Sequence, residues 1–186
     1  MTVSDYFSSL EALSKKVSEA VRISCGNEQM TDVKQRLDEI AKSTGEDVYK
    51  IEKALFCEFA TPIQREHIAA LAHSFLRVII RCVEHEASLK GKKRSDEERL
   101  CVKLADELCD GVKMLKSIRT PDTEPRIEEF RATFIEASEA HSALLERIRA
   151  GMLPSSLATA AFSCSRIRYE LSRGFDELVE IMLASV

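Results

Sequence analysis

The fold is indicated most directly by residues 61–82, which read TPIQREHIAALAHSFLRVIIRC. Thr61 can cap a helix, Pro62 suits the first helical position, and Gln64 can complete a capping box. Apolar residues then recur at steps of three and four, which is the spacing of one helix face. The members of this stripe are Ile68, Leu71, Ala72, Phe75, Val78 and Cys82. The stretch therefore predicts an amphipathic helix that begins at Thr61 and fades near Gly91.

Five further segments show the same spacing, at about 4–25, 28–60, 95–115, 126–150 and 154–186. The second helix has the stripe Met30, Val33, Leu37, Ile40, Thr44, Val48, Ile51 and Leu55. The fifth has the clearest pattern, formed by Ile127, Phe130, Phe134, Ala137, His141, Leu144 and Ile148. Glycines mark the ends of the first and fifth helices at Gly26 and Gly151, whereas Gly45 predicts a kink or a close helix contact. No segment alternates with period two, so the fold class is predicted to be all-α.

The prolines divide the chain into two similar parts. Two of the four prolines lie in residues 120–125, which makes this stretch a candidate boundary. The repeat halves themselves are placed at about 1–91 and 95–186. In both halves a long helix ends just before a proline, Pro62 or Pro154, and another long helix follows at once. We therefore expect a single domain, residues 1–186, built as a six-helix bundle from two three-helix repeats packed side by side.

Composition excludes several classes of protein. The 186 residues are 45% hydrophobic, so a disordered chain is excluded, and six glycines are too few for the many turns of a β-sandwich. There are 27 Lys and Arg against 31 Asp and Glu, so no basic field attracts nucleic acid. The N-terminus lacks the basic start and apolar run of a secretory signal. The most apolar stretch, residues 68–80, contains His73 and Arg77. We therefore expect a cytoplasmic protein with no membrane insertion.

Cysteines and histidines are the obvious candidates for chemistry. The six cysteines (25, 57, 82, 101, 109 and 164) form no Cys-x-x-Cys pair and fall within helical patterns, so we interpret them as buried free thiols. His141 could bind a metal beside Glu139, although a core or dimer-interface histidine is the favoured interpretation, and the same holds for His73. His67 and His85 stand among charged residues and are predicted to be solvated.

Other motifs favour solvated surfaces over sites. Acidic residues four apart occur at 28/32, 106/110, 124/128 and 176/180, as expected in an acid-rich helical chain. The basic run 90–94 is followed by acidic residues and is predicted to be a solvated loop. There is no glycine-rich phosphate loop, no Glu-x-x-His and no signature of a nucleophile with its base. We therefore predict no catalytic, cofactor-binding or metal-binding residues, and no enzyme.

A family resemblance is carried by residues 59–72, Phe-Ala-Thr-Pro-Ile-Gln-Arg-Glu-His-Ile-Ala-Ala-Leu-Ala. This segment resembles the Phe-x-Thr-Pro, apolar, Asp-Arg-Glu-Asp-Ile pattern of PhoU-like proteins, including the shorter branch of phosphate-transport regulators that accompany low-affinity phosphate transporters (Pit accessory proteins). The match is most specific over residues 35–90, and residues 138–141 look like the family's Asn-Glu-Ala-Asp. The resemblance implies a bundle of two three-helix repeats, cytoplasmic location, oligomer formation and non-catalytic regulation of phosphate uptake.

The chain departs from this family where its members carry acid-x-x-x-acid motifs that bind metal clusters. The residues at the matching places are Ala41, Gly45, Gln64, His67, Leu76, Arg77, Ile80 and Arg173, and Glu177 keeps an acid. A multivalent cation needs several carboxylates, and Arg77 would repel it. We therefore expect metal analysis to find no stoichiometric iron or zinc.

Three functions follow from this comparison. The leading hypothesis is a regulatory adaptor that contacts a phosphate transporter or a sensor protein. The alternatives are a metal-binding carboxylate bundle for storage or sensing, and a diverged helical scaffold. The aromatic candidates for an interaction face are Tyr6, Tyr49, Phe56, Phe162 and Phe175. A homo-oligomer is also expected.

Overall fold

Helices account for nearly all of the structure. The computed structural model describes residues 3–26, 32–57, 65–89, 96–117, 123–152 and 155–184, and these ranges contain no β-strand. The helices are α1 (Val3–Cys25), α2 (Val33–Cys57), α3 (Arg65–Leu89), α4 (Asp96–Met114), α5 (Thr123–Arg149) and α6 (Ser155–Ala184). A short 3-10 helix, Leu115–Ser117, continues α4. The prediction of an all-α, six-helix bundle is confirmed.

The helix ends follow local sequence signals. At the end of α1 the Gly26 amide donates to the Arg22 carbonyl over 2.7 Å. At the end of α5, Gly151 has a φ of 68°, a conformation that glycine adopts without steric cost. The Met152 amide there donates to the Arg147 carbonyl over 3.0 Å. Both glycines thus end helices as predicted, whereas the capping residues at 61–64 and 95 lie outside the described residues.

The helices form a central group with two flanking members. α1, α3, α4 and α6 pack on one another, with α3 against α6 and α1 against α4. α2 lies against α1 and α3, and α5 lies against α4 and α6. The fully buried side chains of the central helices include Leu10, Leu13, Phe75, Leu104, Leu108 and Ile167. Burial of this apolar surface supplies most of the driving force for folding. The division into two repeats within one domain stays a prediction.

The two flanking helices can be compared at the stripe residues whose side chains are described. α2 buries the six residues Leu37, Ile40, Thr44, Val48, Ile51 and Leu55, as predicted. Among the described side chains of α5, only Ile127 and Phe134 are buried. Phe134 stacks on Phe175 of α6 with ring centroids 4.3 Å apart. The side chains of Phe130, Ala137, His141 and Leu144 lie outside the described residues.

The close helix contact at glycine occurs at a different position from the one predicted. A side chain added at Gly45 would meet nothing within 4 Å, so this glycine makes no close helix contact. A Cβ at Gly174 of α6 would lie 3.3 Å from Leu108 Cδ2 and 3.6 Å from Ser74 Cβ. Gly174 therefore lets α6 approach α3 and α4 closely.

Within the described helices, no apolar stretch is long enough to cross a lipid bilayer.

Candidate functional site

The contact between α3 and α6 carries a network of ion pairs. Arg77 Nε donates to Glu170 Oε2 over 2.8 Å, and Arg81 Nη2 lies 3.8 Å from the other Glu170 oxygen. Glu170 is 4% exposed, so its charge is nearly removed from water and depends on these arginines. Arg77 also donates to Ser74 Oγ over 2.8 Å. We call this set of residues the α3–α6 seam.

The seam extends in both directions along the two helices. Glu84 of α3 accepts from Arg81 over 2.9 Å and from Arg166 of α6 over 3.1 Å. Further along, His67 Nδ1 lies 2.9 Å from Glu177 Oε2. The carboxylates along the seam are therefore each held by a basic group, with at least as many basic groups as carboxylates. This arrangement neutralises negative charge, which is the opposite of what a carboxylate-bound metal cluster requires.

Two of the residues that depart from the family pattern are thus paired. Arg77 was expected to repel a cation. It pairs with Glu170 and so neutralises the carboxylate charge that a bound cation would otherwise neutralise. His67 was predicted to be solvated, but it is half-buried against Glu177, the acid that the sequence retains.

The core position favoured for His73 and the solvated position predicted for His85 were wrong, and the His141 side chain lies outside the described residues. His73 was favoured as a core or interface residue, but its side chain is 42% exposed and lies 2.7 Å from Glu52. His85 was predicted to be solvated, but it is fully buried. The charged neighbours of His85 in sequence point away from it because adjacent positions on a helix face different directions. The acidic pairs are surface groups where described: Asp106 accepts from Arg22 of α1 over 2.9 Å, and Asp110 pairs with Lys113. The basic run 90–94 lies outside the described residues.

Buried His85 belongs to a cluster of thiols in the centre of the bundle. Ligand atoms of Cys25, His85 and Cys164 all lie within 4.8 Å of one another, and all three residues are buried. The Cys164 Sγ atom is 3.6 Å from His85 Nε2 and 3.9 Å from Nδ1. The thiol of Cys101 interacts with both Cys25 and Cys164. We call Cys25, His85, Cys101 and Cys164 the thiol cluster.

The cluster has one acidic and one basic neighbour. His85 Nε2 lies 3.1 Å from the carboxylate of Glu98, which is fully buried. Arg168 lies one turn beyond Cys164 on α6, and its Nε is buried without a hydrogen-bond partner among the described residues. Burial lowers the pKa of Arg168, and the nearby Cys101 sulfur opposes that shift. A carboxylate and a guanidinium thus flank the sulfur atoms inside the core.

The three thiols of the cluster have different pKa values. Hydrogen bonds from Cys164 and Cys25 lower the pKa of Cys101 well below its usual value. The same bond raises the pKa of Cys25 to about 11, and the pKa of Cys164 is also raised, chiefly by Cys101. Burial disfavours a charge on His85, but hydrogen bonds with Cys25 and Glu98 prevail and raise its pKa to about 9. Cys101 is therefore the position in the cluster where a thiolate forms most readily.

Five of the six cysteines are buried free thiols as predicted, whereas Cys57 is exposed. The sequence interpretation missed that Cys25 of α1 and Cys164 of α6 meet His85 of α3, with Cys101 of α4 beside Cys164. The available signal was register: Cys82 lies on the predicted stripe of α3, and His85 follows it by three residues on the same face.

The aromatic residues separate into two groups. Tyr6 and Phe175 are buried and belong to the core. Tyr49 and Phe56 of α2 are 65% and 90% exposed, and Phe162 of α6 is 62% exposed. Tyr169 of α6 is 58% exposed and was not among the predicted candidates. The exposed pairs 49/56 and 162/169 are each seven residues apart, so each pair lies on one helix face.

The architecture can be compared with those of known proteins. No family model and no curated protein matches the sequence. Among solved structures, it is similar to the crystal structure of a PhoU-like protein from Shewanella oneidensis MR-1, with a TM-score of 0.59 and 10% identity, over 98% of this chain and 97% of that one. A second protein from the same organism, described as a PhoU-like phosphate regulatory protein, has a TM-score of 0.57 and 9% identity over the same shares. From end to end, therefore, the chain adopts the helical-bundle fold of these PhoU-like proteins.

Proposed function

We propose that the protein is a non-catalytic regulator of phosphate transport or phosphate signalling that acts in the cytoplasm through protein contacts. The observation that carries this proposal is the likeness over 98% of the chain to a protein described as a PhoU-like phosphate regulatory protein. The likeness extends over both chains almost completely, so it concerns the arrangement of all the helices. The resemblance of residues 59–72 to the Pit accessory branch points to the same function from an independent feature.

The α3–α6 seam argues against the alternative of a carboxylate metal store. Glu170 is held by two arginines, and Glu84 is held by Arg81 and Arg166. A cation at the seam would have to displace these arginines and leave their charges unpaired, which is costly for partly buried groups. We infer that this surface serves helix packing, and that regulation does not depend on a metal cluster held by acids.

Contacts with other proteins would use exposed helix faces. The pair Tyr49 and Phe56 is the most exposed aromatic face of the described helices. Aromatic side chains are enriched where proteins bind one another because they bury much apolar area with few rotatable bonds. We infer that α2 contacts the transporter or sensor, and that self-association uses a different face.

The test is co-purification of a tagged chain from cells grown with abundant phosphate and from cells starved of it. We expect a phosphate transporter or its sensor kinase to co-purify in at least one condition. The double variant Y49A/F56A should lose this partner, whereas the matched variant F162A/Y169A on α6 should keep it. Neither double variant touches the core, so both should unfold at the wild-type temperature.

Two results would contradict the proposal. Recovery of neither a transporter nor a sensor under either growth condition would remove the regulatory role. Unchanged phosphate uptake in cells that lack the gene, under both conditions, would do the same. Retention of the partner by Y49A/F56A would overturn only the assignment of the contact to α2.

A further inference from the structure

We propose that the thiol cluster is a structural zinc site with four ligands: Cys25, His85, Cys101 and Cys164. This site is independent of the proposed regulatory function and of the α3–α6 seam. It departs from the expectation, drawn from the missing acidic motifs, that the protein holds no stoichiometric zinc. That expectation concerned carboxylate ligands, whereas the donors here are sulfur and imidazole nitrogen.

The donor set is the first argument. Three cysteines and one histidine are a common ligand set for structural zinc, which is bound tetrahedrally by thiolate and imidazole. Soft sulfur donors disfavour magnesium and calcium, which prefer oxygen. Because every member of the cluster is buried, the site would have no open position for water. A closed site of this kind holds helices together and does not catalyse a reaction.

The distances are the second argument. For zinc bonds of about 2.3 Å to sulfur and about 2.0–2.1 Å to nitrogen, tetrahedral geometry places these two ligand atoms about 3.6 Å apart. The observed distance from Cys164 Sγ is 3.9 Å to His85 Nδ1 and 3.6 Å to Nε2, so the distance to Nδ1 exceeds the tetrahedral value by about 0.3 Å. Ligand atoms of Cys25, His85 and Cys164 lie within 4.8 Å of one another. Cys101 Sγ donates to the Cys164 backbone carbonyl over 3.6 Å, beside these three residues, and we assign it as the fourth donor. Cys101 Sγ does not lie within 4.8 Å of all three, so its side chain must move toward them to complete the site.

The surroundings are the third argument. A histidine that binds zinc usually gives its other ring nitrogen to a carboxylate, which fixes the ring. His85 Nε2 lies 3.1 Å from Glu98 Oε1, so Nδ1 is the nitrogen available to zinc. Three thiolates and a divalent cation carry one net negative charge. The half-buried Arg168, whose buried Nε lacks a partner among the described residues, supplies one compensating positive charge.

Zinc binding replaces thiol protons and involves no change of oxidation state. Each thiol releases its proton to solvent as its sulfur bonds to zinc, and His85, which is protonated at neutral pH, likewise gives up the proton on its coordinating nitrogen, so binding weakens as the pH falls. The four ligands come from α1, α3, α4 and α6, the four helices of the central group. A bound ion would therefore connect all four helices at one point.

The first experiment is metal analysis of the protein, expressed with zinc supplied and purified without chelator or strong reductant. We expect about one zinc per chain, and we expect a chelator to lower the unfolding temperature. Zinc-free protein refolded with cobalt should show the ligand-field bands of tetrahedral cobalt and a sulfur-to-cobalt charge-transfer band. A cobalt spectrum without thiolate bands, or no metal after refolding with excess zinc, would overturn the proposal.

Variants distinguish this site from adventitious binding. C164S should lose the cobalt spectrum, whereas C109S should keep it. Cys109 is also buried on α4, but it interacts with Ser14 outside the cluster, so it is a matched control. If C164S fails to fold, E98Q provides the decisive measurement because it leaves all four ligands in place. We expect E98Q to weaken zinc binding about 10–100-fold through loss of the carboxylate that orients His85. Unchanged affinity in E98Q, or equal loss in C109S, would contradict the assignment.

Discussion

The flanking helices α2 and α5 occupy similar places in the bundle, but the described part of α2 packs more closely on its neighbours than that of α5. α2 buries six side chains against α1 and α3, and two of its charged residues bind α1: Asp47 accepts from Lys16 over 2.8 Å, and Arg36 pairs with Glu19. The described side chains of α5 include two buried residues and a longer, exposed ion pair from Glu136 to Lys103, at 3.6 Å. The apolar spacing of α5 is the more regular of the two in sequence. Regular spacing therefore identifies a helix, whereas the stability of its packing depends on what lies opposite.

The largest expected effect is at the centre of the α2 stripe. Leu37 is fully buried, so L37A should lower the free energy of unfolding by about 3–5 kcal/mol through lost burial and a cavity. The matched change on α5, I135A, removes a side chain that is 59% exposed and should cost less than about 0.5 kcal/mol. Urea unfolding followed by circular dichroism measures both. Equal losses would show that the two helices are held alike.

The second effect concerns the main anchor of α5. Phe134 stacks on Phe175, and F134A should cost about 2 kcal/mol, below the 3–5 kcal/mol or so of a phenylalanine enclosed on all sides. Hydrogen exchange should then speed up in α5 and stay slow in α2, because α5 can open without disturbing the central helices. Faster exchange in α2 would show that the two helices unfold together.

The third effect is smaller, and it is a gain in stability from a substitution on α2. G45A should stabilise the protein by about 0.5–1 kcal/mol, since alanine favours the helix and has room there. G174A is the control: it brings the same gain in helix propensity, but its Cβ would lie 3.3 Å from Leu108. Thermal unfolding should rise for G45A and fall or stay unchanged for G174A. A rise for G174A alone would reverse the assignment of the close contact.

The smallest effect is electrostatic and depends on pH. Burial opposes the charge on Asp47, but the bonds from Lys16 and Lys50 prevail and its pKa is lowered. An acid with a lowered pKa in the folded state stabilises the protein above its unfolded value, and this contribution is lost as the pH falls below about 4. D47N should therefore cost about 0.2–1 kcal/mol at pH 7 and approach the wild type in acid.

The control for that measurement is Asp176, whose pKa is shifted in the opposite direction. Burial and the charge of Glu177 raise the pKa of Asp176 on α6. A raised pKa favours the protonated form in the folded state, so this contribution is present at low pH and is lost as the pH rises through the folded value. D176N should not destabilise the protein at pH 7. A loss for D176N as large as that for D47N would contradict the stated causes.

Sequence spacing predicted the fold well because helix formation and one-sided burial leave a local pattern. All six buried residues of α2 and the glycine ends of α1 and α5 could be identified in this way. The thiol cluster could not, since its members are 16 to 63 residues from the next one along the chain and meet only through packing. The prediction that His85 is solvated was wrong for a related reason. Charged residues next to it in sequence lie on a different face of the helix, so they do not show that the His85 side chain itself faces solvent.

The central position of the cysteines has a consequence for how the protein is made. Cys25 lies on α1 and Cys164 on α6, so no fragment that lacks either helix can assemble all four donors. Closing such long segments costs entropy, and the central helices must dock before the sulfurs meet. A chain still emerging from the ribosome could not assemble the four donors before α6 had been made, and any ion enclosed afterwards would leave only when one of the four helices detached.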